Sequence, residues 1–154
     1  YGVNPFILAS KLINEHGSDG DSGSVSGKVK GYEGYYNYFN IGAYAHSGRS
    51  AIENGLIYAK EHGWDSREKS IMAGTEFFAK DYIRSNKTTA YFQKFNVMNG
   101  ASAVARGQYM TAIWGANSTG VTLGKGYVSA YSSALTFEIP VYLNMPTLPV
   151  PYPR

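Results

Sequence analysis

Glu15 is the penultimate residue of the run ASKLINEH, which is followed at once by the glycine-rich stretch GSDGDSG. Leu8, Leu12 and Glu15 fall at i, i+4 and i+7, so the spacing predicts that they share one stripe of a helix. A core-facing stripe would carry the carboxylate to the edge of apolar surroundings, and partial burial favours the protonated form. The carbonyl end of the helix acts in the same direction, because it disfavours an anion in the last turn. A carboxylic acid that keeps its proton near neutral pH can protonate a departing sugar oxygen, as a glycosidase requires. A plainer reading stands beside this one. Glu15 could be a surface residue paired with Lys11 at i−4, an arrangement that stabilises little.

Other chemistries lack their parts. DGDSG suggests a calcium loop, but the third ligand, the placed glycine and the closing glutamate are missing. TLGKGY lacks the first glycine of a phosphate loop and the Ser or Thr after Lys125. His16, His46 and His62 are far apart and have no paired spacing for zinc. The absence of cysteine removes disulfides and thiolate metal sites. There is no G-x-S-x-G elbow. The expectation is a domain that needs neither metal nor cofactor.

The elements that must position Glu15 are mostly helices. Asn4 and Pro5 form a helix start, and Gly17 a stop after His16. Residues 17–27, rich in Gly and Ser, read as an exposed flexible loop, and residues 24–45 as turns with a short hairpin. A second helix is expected from Ser50, with Glu53 closing a capping box, to Gly63. A third starts at Asp65 or Ser66, with Glu68 placed for another box, and runs to about Ser85. Its Ile71, Phe78 and Tyr82 share a face. Residues 88–97 are ambiguous, 103–116 read as helical, and another helix is expected over 121–132. Prolines at 140, 146, 149, 151 and 153 predict an extended strap and then a polyproline-like tail over 147–154.

A chain of 154 residues suits one domain with its own core, here 1–146. Charge is low and tyrosine abundant, at 14 residues, which suits a groove for uncharged or mixed ligands such as sugars and equally suits a core. The net charge of +3 is too small for a nucleic-acid footprint, so no such partner is expected. It would still favour approach to an anionic polymer such as a cell wall. No apolar run reaches the length of a membrane span. The chain begins at Tyr1 without a signal segment, which reads as a piece of a longer protein.

Four blocks carry a likeness to a known family: NPFILASKLINEHG, GYEGYYNYFNIGAY, GLIYAKEHGWDSREKSIMAGTEFFAKDYI and YFQKFNV…GQYM. In this order they strongly resemble the glucosaminidase domains of bacterial autolysins, glycoside hydrolase family 73. The likeness runs from Asn4 to about Pro146 and leans to the clostridial type, which fits the ending IPVYLNMP. It implies a mainly α, lysozyme-like fold, with an α-lobe, a small β-hairpin lobe and a groove between them. The implied activity is that of a secreted, monomeric, wall-associated endo-β-N-acetylglucosaminidase of a Gram-positive bacterium. Its implied partner is the glycan strand of peptidoglycan, cut at the β-1,4 bond from N-acetylglucosamine to N-acetylmuramic acid. Muramidases and lytic transglycosylases share the architecture and remain alternatives, as does a glycan-binding module that has lost catalysis.

The resemblance makes Glu15 the general acid and Tyr109 an assisting phenol, able to donate near developing charge or to orient a water. Relatives commonly show a histidine where Gly107 stands and an Asp or Asn where Ala112 stands. Any mechanism relying on an acid at 112 is therefore closed. Glu33, on the expected far wall, becomes the first candidate for a base, with an exposed turn glutamate as the plainer reading. Asp19 and Asp21 are further candidates, and the substrate's own N-acetyl group could replace a base altogether. Substrate contacts are expected from Tyr35, Tyr36, Asn37, Phe39 and Asn40 of the YYNxFN block, and from Gln108 and Trp114. Phe39 and Ile41 are the most plausible of that block to be core, and Trp114 is placed either in the groove or packed behind it.

Overall fold

The computed structural model describes residues 1–104, 106–108, 114–127, 136 and 138–148. Helix α1, Pro5–His16, starts where the sequence places it: the Asn4 side chain accepts from the Phe6 N–H at 2.9 Å, and proline occupies the first turn. Gly17 ends it at φ +74°, a backbone angle that favours glycine, and its N–H caps the Ile13 carbonyl.

Helix α2, Gly23–Ser26, is a single turn inside the stretch expected to be a flexible loop. That expectation fails because Ser24 and Val25 are buried, Val25 at 1% exposure, and the Ser24 carbonyl accepts from the Asn37 N–H at 2.7 Å. Helix α3, Ala51–Glu61, carries the expected capping box, with Ser50 and Glu53 bonding each other's backbone. Helix α4, Arg67–Phe78, starts on Ser66, whose hydroxyl accepts from the Lys69 N–H. Lys69 therefore occupies the third helical position and the Glu68 box does not form. The helix then widens into a π-helical turn, Ala79–Ile83, instead of continuing as α to Ser85.

Helix α5, Ala90–Phe95, settles the ambiguity over 88–97, and Thr89 caps it. Helix α6, Gly115–Tyr127, begins before the helix expected over 121–132 and overlaps it, while 128–132 lie outside the described residues. It packs on α1 and α5, with Tyr127 against Phe6 at 5.6 Å between rings. Of the helix expected over 103–116, residues 106–108 are not helical and 109–113 lie outside the described residues.

The segment joining α2 to α3 is wrapped instead of laddered. Among the described residues it holds one isolated bridge, His46 with Arg49, where a hairpin was expected. Its backbone groups go to the helices: Tyr36 N–H to the Trp64 carbonyl and Tyr38 N–H to the Ser70 hydroxyl. Val25, Phe39, Leu56, Ala59, Trp64, Phe78 and Ala79 form the core between this segment and helices α3 and α4. The fold is mainly α and lysozyme-like, as expected. Residues 138–148 contain no helix, and this strap meets α5 through a Thr88 hydroxyl to Glu138 bond and a 2.5 Å bond between Tyr91 and Tyr142. No helix among the described residues is long and apolar enough to cross a membrane.

Candidate active site

Glu15 occupies the last turn of α1 and is half-buried. Its Oε2 accepts from Asn40 Nδ2 at 2.9 Å, a bond that joins the helix end to the wrapped segment. Asn40 reaches it from a left-handed backbone, φ +50°, which asparagine tolerates better than most residues. The neighbouring His16 fixes the helix end from the other side, through Ser22 Oγ at 2.6 Å and the Tyr38 carbonyl at 2.8 Å. One turn back on α1, Lys11 is 2% exposed and lies over the Phe78 ring. Burial pushes its ammonium down to about 8, opposed by the charge of Glu15.

The π-helical turn supplies a third side. Burial raises the Tyr82 phenol above its usual range, and the negative charges of Asp81 and Glu15 add to the effect. The phenol therefore stays protonated, within electrostatic reach of the carboxylate. Lys87 caps the arrangement: its Nζ lies 4.7 Å from the Tyr82 ring centre and donates to the Gly107 carbonyl at 2.8 Å. Gly107 adopts φ +56°, and the Oε1 of the adjacent Gln108 is buried without a hydrogen-bond partner. Lys87 thus ties the chain at Gly107 back to the π-helical turn. Tyr109 and Ala112 themselves lie outside the described residues.

The remaining expected residues separate into three groups. Asn40 bonds Glu15, Gln108 follows the Gly107 that Lys87 holds, and Trp114 is 63% exposed just before α6. Tyr35 and Tyr36 are half-buried with Lys60 and Arg67 over their rings, at the α3–α4 end of the wrapped segment. Asn37 and Phe39 are corrections. Asn37 is fully buried and spends its amide on the Ile41 and Gly55 carbonyls and the Ile41 N–H, so it has nothing left for a sugar. Phe39 packs on Phe78.

Glu33 is exposed, and its carboxylate accepts from the Gly31 N–H at 3.0 Å. Bonds from the backbone N–H groups of Glu33 and Gly31 hold it below the usual carboxylate range. Such a group is a weaker base than an ordinary glutamate, so the plainer turn reading describes it. Tyr82, Lys87 and Asp81 were not singled out as site residues in the sequence. In the sequence Tyr82 only shared a face of the expected third helix with Ile71 and Phe78, since its electrostatic reach to Glu15 crosses 67 positions of chain and no local spacing signals it. Among the described residues no three His, Asp or Glu side chains gather as a metal site.

No family model matches the chain. It is similar to the bifunctional autolysin of Staphylococcus epidermidis (strain ATCC 12228), 33% identical over 149 residues, and to that of Staphylococcus aureus (strain MSSA476), 29% identical over 150. Each match covers 92% of this chain, which spans 11% of the length of those autolysins. Among solved structures it is similar to Staphylococcus aureus autolysin E in complex with the muropeptide NAM-L-Ala-D-iGlu, with TM-score 0.65 and 31% identity. That likeness covers 84% of this chain and 55% of the other. A catalytic glutamate-to-alanine mutant of autolysin E, in complex with the disaccharide NAG-NAM, matches equally well at 30% identity.

Proposed function

Because the chain belongs to the glucosaminidase family of bacterial autolysins, we propose that it hydrolyses peptidoglycan at the β-1,4 bond from N-acetylglucosamine to N-acetylmuramic acid. The observation that carries this reading is Glu15 at the end of α1, held by Asn40 and close enough to Tyr82 for its charge to be felt there. The proton of Glu15 goes to the glycosidic oxygen as the bond to the anomeric carbon breaks. Asn40 keeps the carboxyl aimed, and the Tyr82 phenol donates a hydrogen bond toward charge that develops there. Tyr109 assists as a hydrogen-bond donor. Gln108 and the exposed Trp114 contact the sugars, Trp114 by stacking.

The exposure of Glu33 and its bond to the Gly31 N–H favour a route without a second catalytic carboxylate. The carbonyl oxygen of the substrate's N-acetyl group attacks the anomeric carbon, and water then opens the resulting ring. Glu15, now ionised, takes the proton of that water. The site of action is the cell wall, outside the membrane.

Digestion of purified peptidoglycan by the domain and by Glu15→Gln tests this, with mass spectrometry of borohydride-reduced products. The wild type is expected to leave reduced N-acetylglucosamine ends, and the variant to lose at least about a thousandfold in rate. Reduced N-acetylmuramic acid would make the protein a muramidase, and anhydro ends a transglycosylase. Binding without any release would make it a glycan-binding module.

A further inference from the structure

A second concavity opens on the wrapped segment, one turn from the catalytic carboxylate. It has a volume of about 250 Å³ and is bounded by Gly42, Tyr44, His46, Arg49, Asn54 and Glu61. That is smaller than the roughly 300–1,000 Å³ of pockets that enclose a whole small ligand, so it suits part of a longer one. Its lining is mixed in charge: a guanidinium, an imidazole, an amide and a carboxylate. We propose that this pocket binds the peptide stem of the muropeptide whose glycan lies at Glu15, a refinement that rests on the peptidoglycan reading above.

Three observations carry it. The first is placement. Asn40, which holds Glu15, begins a turn closed by a bond from the Ala43 N–H to the Asn40 carbonyl at 3.0 Å, and Gly42 of that turn lines the pocket. A turn of this kind keeps its ends within about 7 Å, so a stem branching from a sugar near Glu15 arrives at this rim.

The second is construction. Ser47 and Gly48 both take positive φ, +52° and +73°, so the chain reverses in a tight turn that sets His46 beside Arg49. Asn54 Nδ2 donates to the Tyr44 carbonyl at 2.8 Å and faces His46 Nδ1 at 2.7 Å. The same Nδ1 lies 3.3 Å from the Tyr44 carbonyl, so the ring is held at the pocket edge by two neighbours. Glu53, the neighbouring acid, hydrogen-bonds Ser50 and acts on Arg49 only through its charge, while Arg49 also lines the pocket.

The third is chemistry. A stem peptide presents carboxylates and, on its diamino acid, an ammonium. Arg49 and His46 suit the first and Glu61 the second, while Tyr44, 62% exposed, offers a flat face to the backbone. A glycan strand alone offers no ammonium for Glu61.

The test compares the domain with Arg49→Ala on peptidoglycan glycan strands before and after an amidase has removed the stems. Arg49 is exposed, so the variant is expected to fold. The ratio of kcat/KM on peptide-bearing to stripped strands should fall about tenfold, carried by KM, as suits loss of one charge-assisted contact. Separately, the tetrapeptide L-Ala–D-iGlu–L-Lys–D-Ala is titrated into isotope-labelled Glu15→Gln. Saturable shifts at Tyr44 and His46, abolished by adding Arg49→Ala, support the proposal. An unchanged ratio overturns it. An equal loss on both substrates also overturns it and makes the pocket a sugar subsite. Absence of saturable peptide shifts overturns it too. If the wild type cleaves neither substrate, the hydrolase reading fails while the titration still decides the pocket.

Discussion

The residue that most shapes the electrostatics of the site is not the acid but the lysine beneath it. Lys11 is buried at the i−4 position, and its folded pKa falls from 10.5 to about 8. The folded state therefore prefers the neutral amine, so the native protein gains stability as pH rises from about 8 to about 10.5 and lacks that gain below. The whole effect is about 3 kcal/mol at about 1.4 per pH unit. Urea unfolding across that range should show it, and Lys11→Met should flatten it. Tyr82 makes a different prediction, since its phenol only donates. Tyr82→Phe should lower kcat by about ten- to a hundredfold with little change in KM or melting temperature, read by paired kinetics and calorimetry. Asn37 and Asn40 show why such roles were hidden: the YYNYFN block holds two asparagines three apart, and only burial separates the structural one from the one that aims the acid.

At the scale of elements, α4 and the wrapped segment fit through a missing side chain. A Cβ on Gly74 would stand 2.1 Å from the Phe39 ring, so the helix keeps glycine where alanine would be the better helix former. Gly74→Ala should gain about 1 kcal/mol of helix propensity and lose more to the displaced Phe39, for a net loss of about 1–3 kcal/mol in chemical denaturation. The helix starts at Asn4, Ser50 and Ser66 were legible because each cap is written within four residues. The π-helical turn and α2 were not. The turn's extra residue leaves no mark in the spacing of Phe78 and Tyr82. The Gly-Ser run folds as α2 because Asn37, eleven or more residues on, bonds the Ser24 carbonyl. The hairpin failed for the same reason: the glycine-rich segment looked like turns between strands, but its N–H groups are claimed by Ser24, Trp64 and Ser70.

Across the whole molecule, the described residues close through contacts made late in the chain. Helix α6 covers α1, and the 138–148 strap returns to α5, where the Tyr91 phenol is pushed up to about 12 by burial and by its bond to Tyr142. A raised tyrosine pKa means that the folded state holds the proton more tightly, so this contribution is complete below about pH 10 and lost on the way to about 12. Tyr142→Phe should return Tyr91 toward its ordinary range, measurable by ultraviolet titration of the phenolate. The two tryptophans divide the molecule in another way. Trp64 is 6% exposed in the core, while Trp114 is 63% exposed just before α6, where it is proposed to stack on a sugar. Their emission reports on different events: a sugar settling on the outer indole changes one signal, and loss of the fold is needed to change the other, so occupancy and integrity can be read from one unlabelled sample.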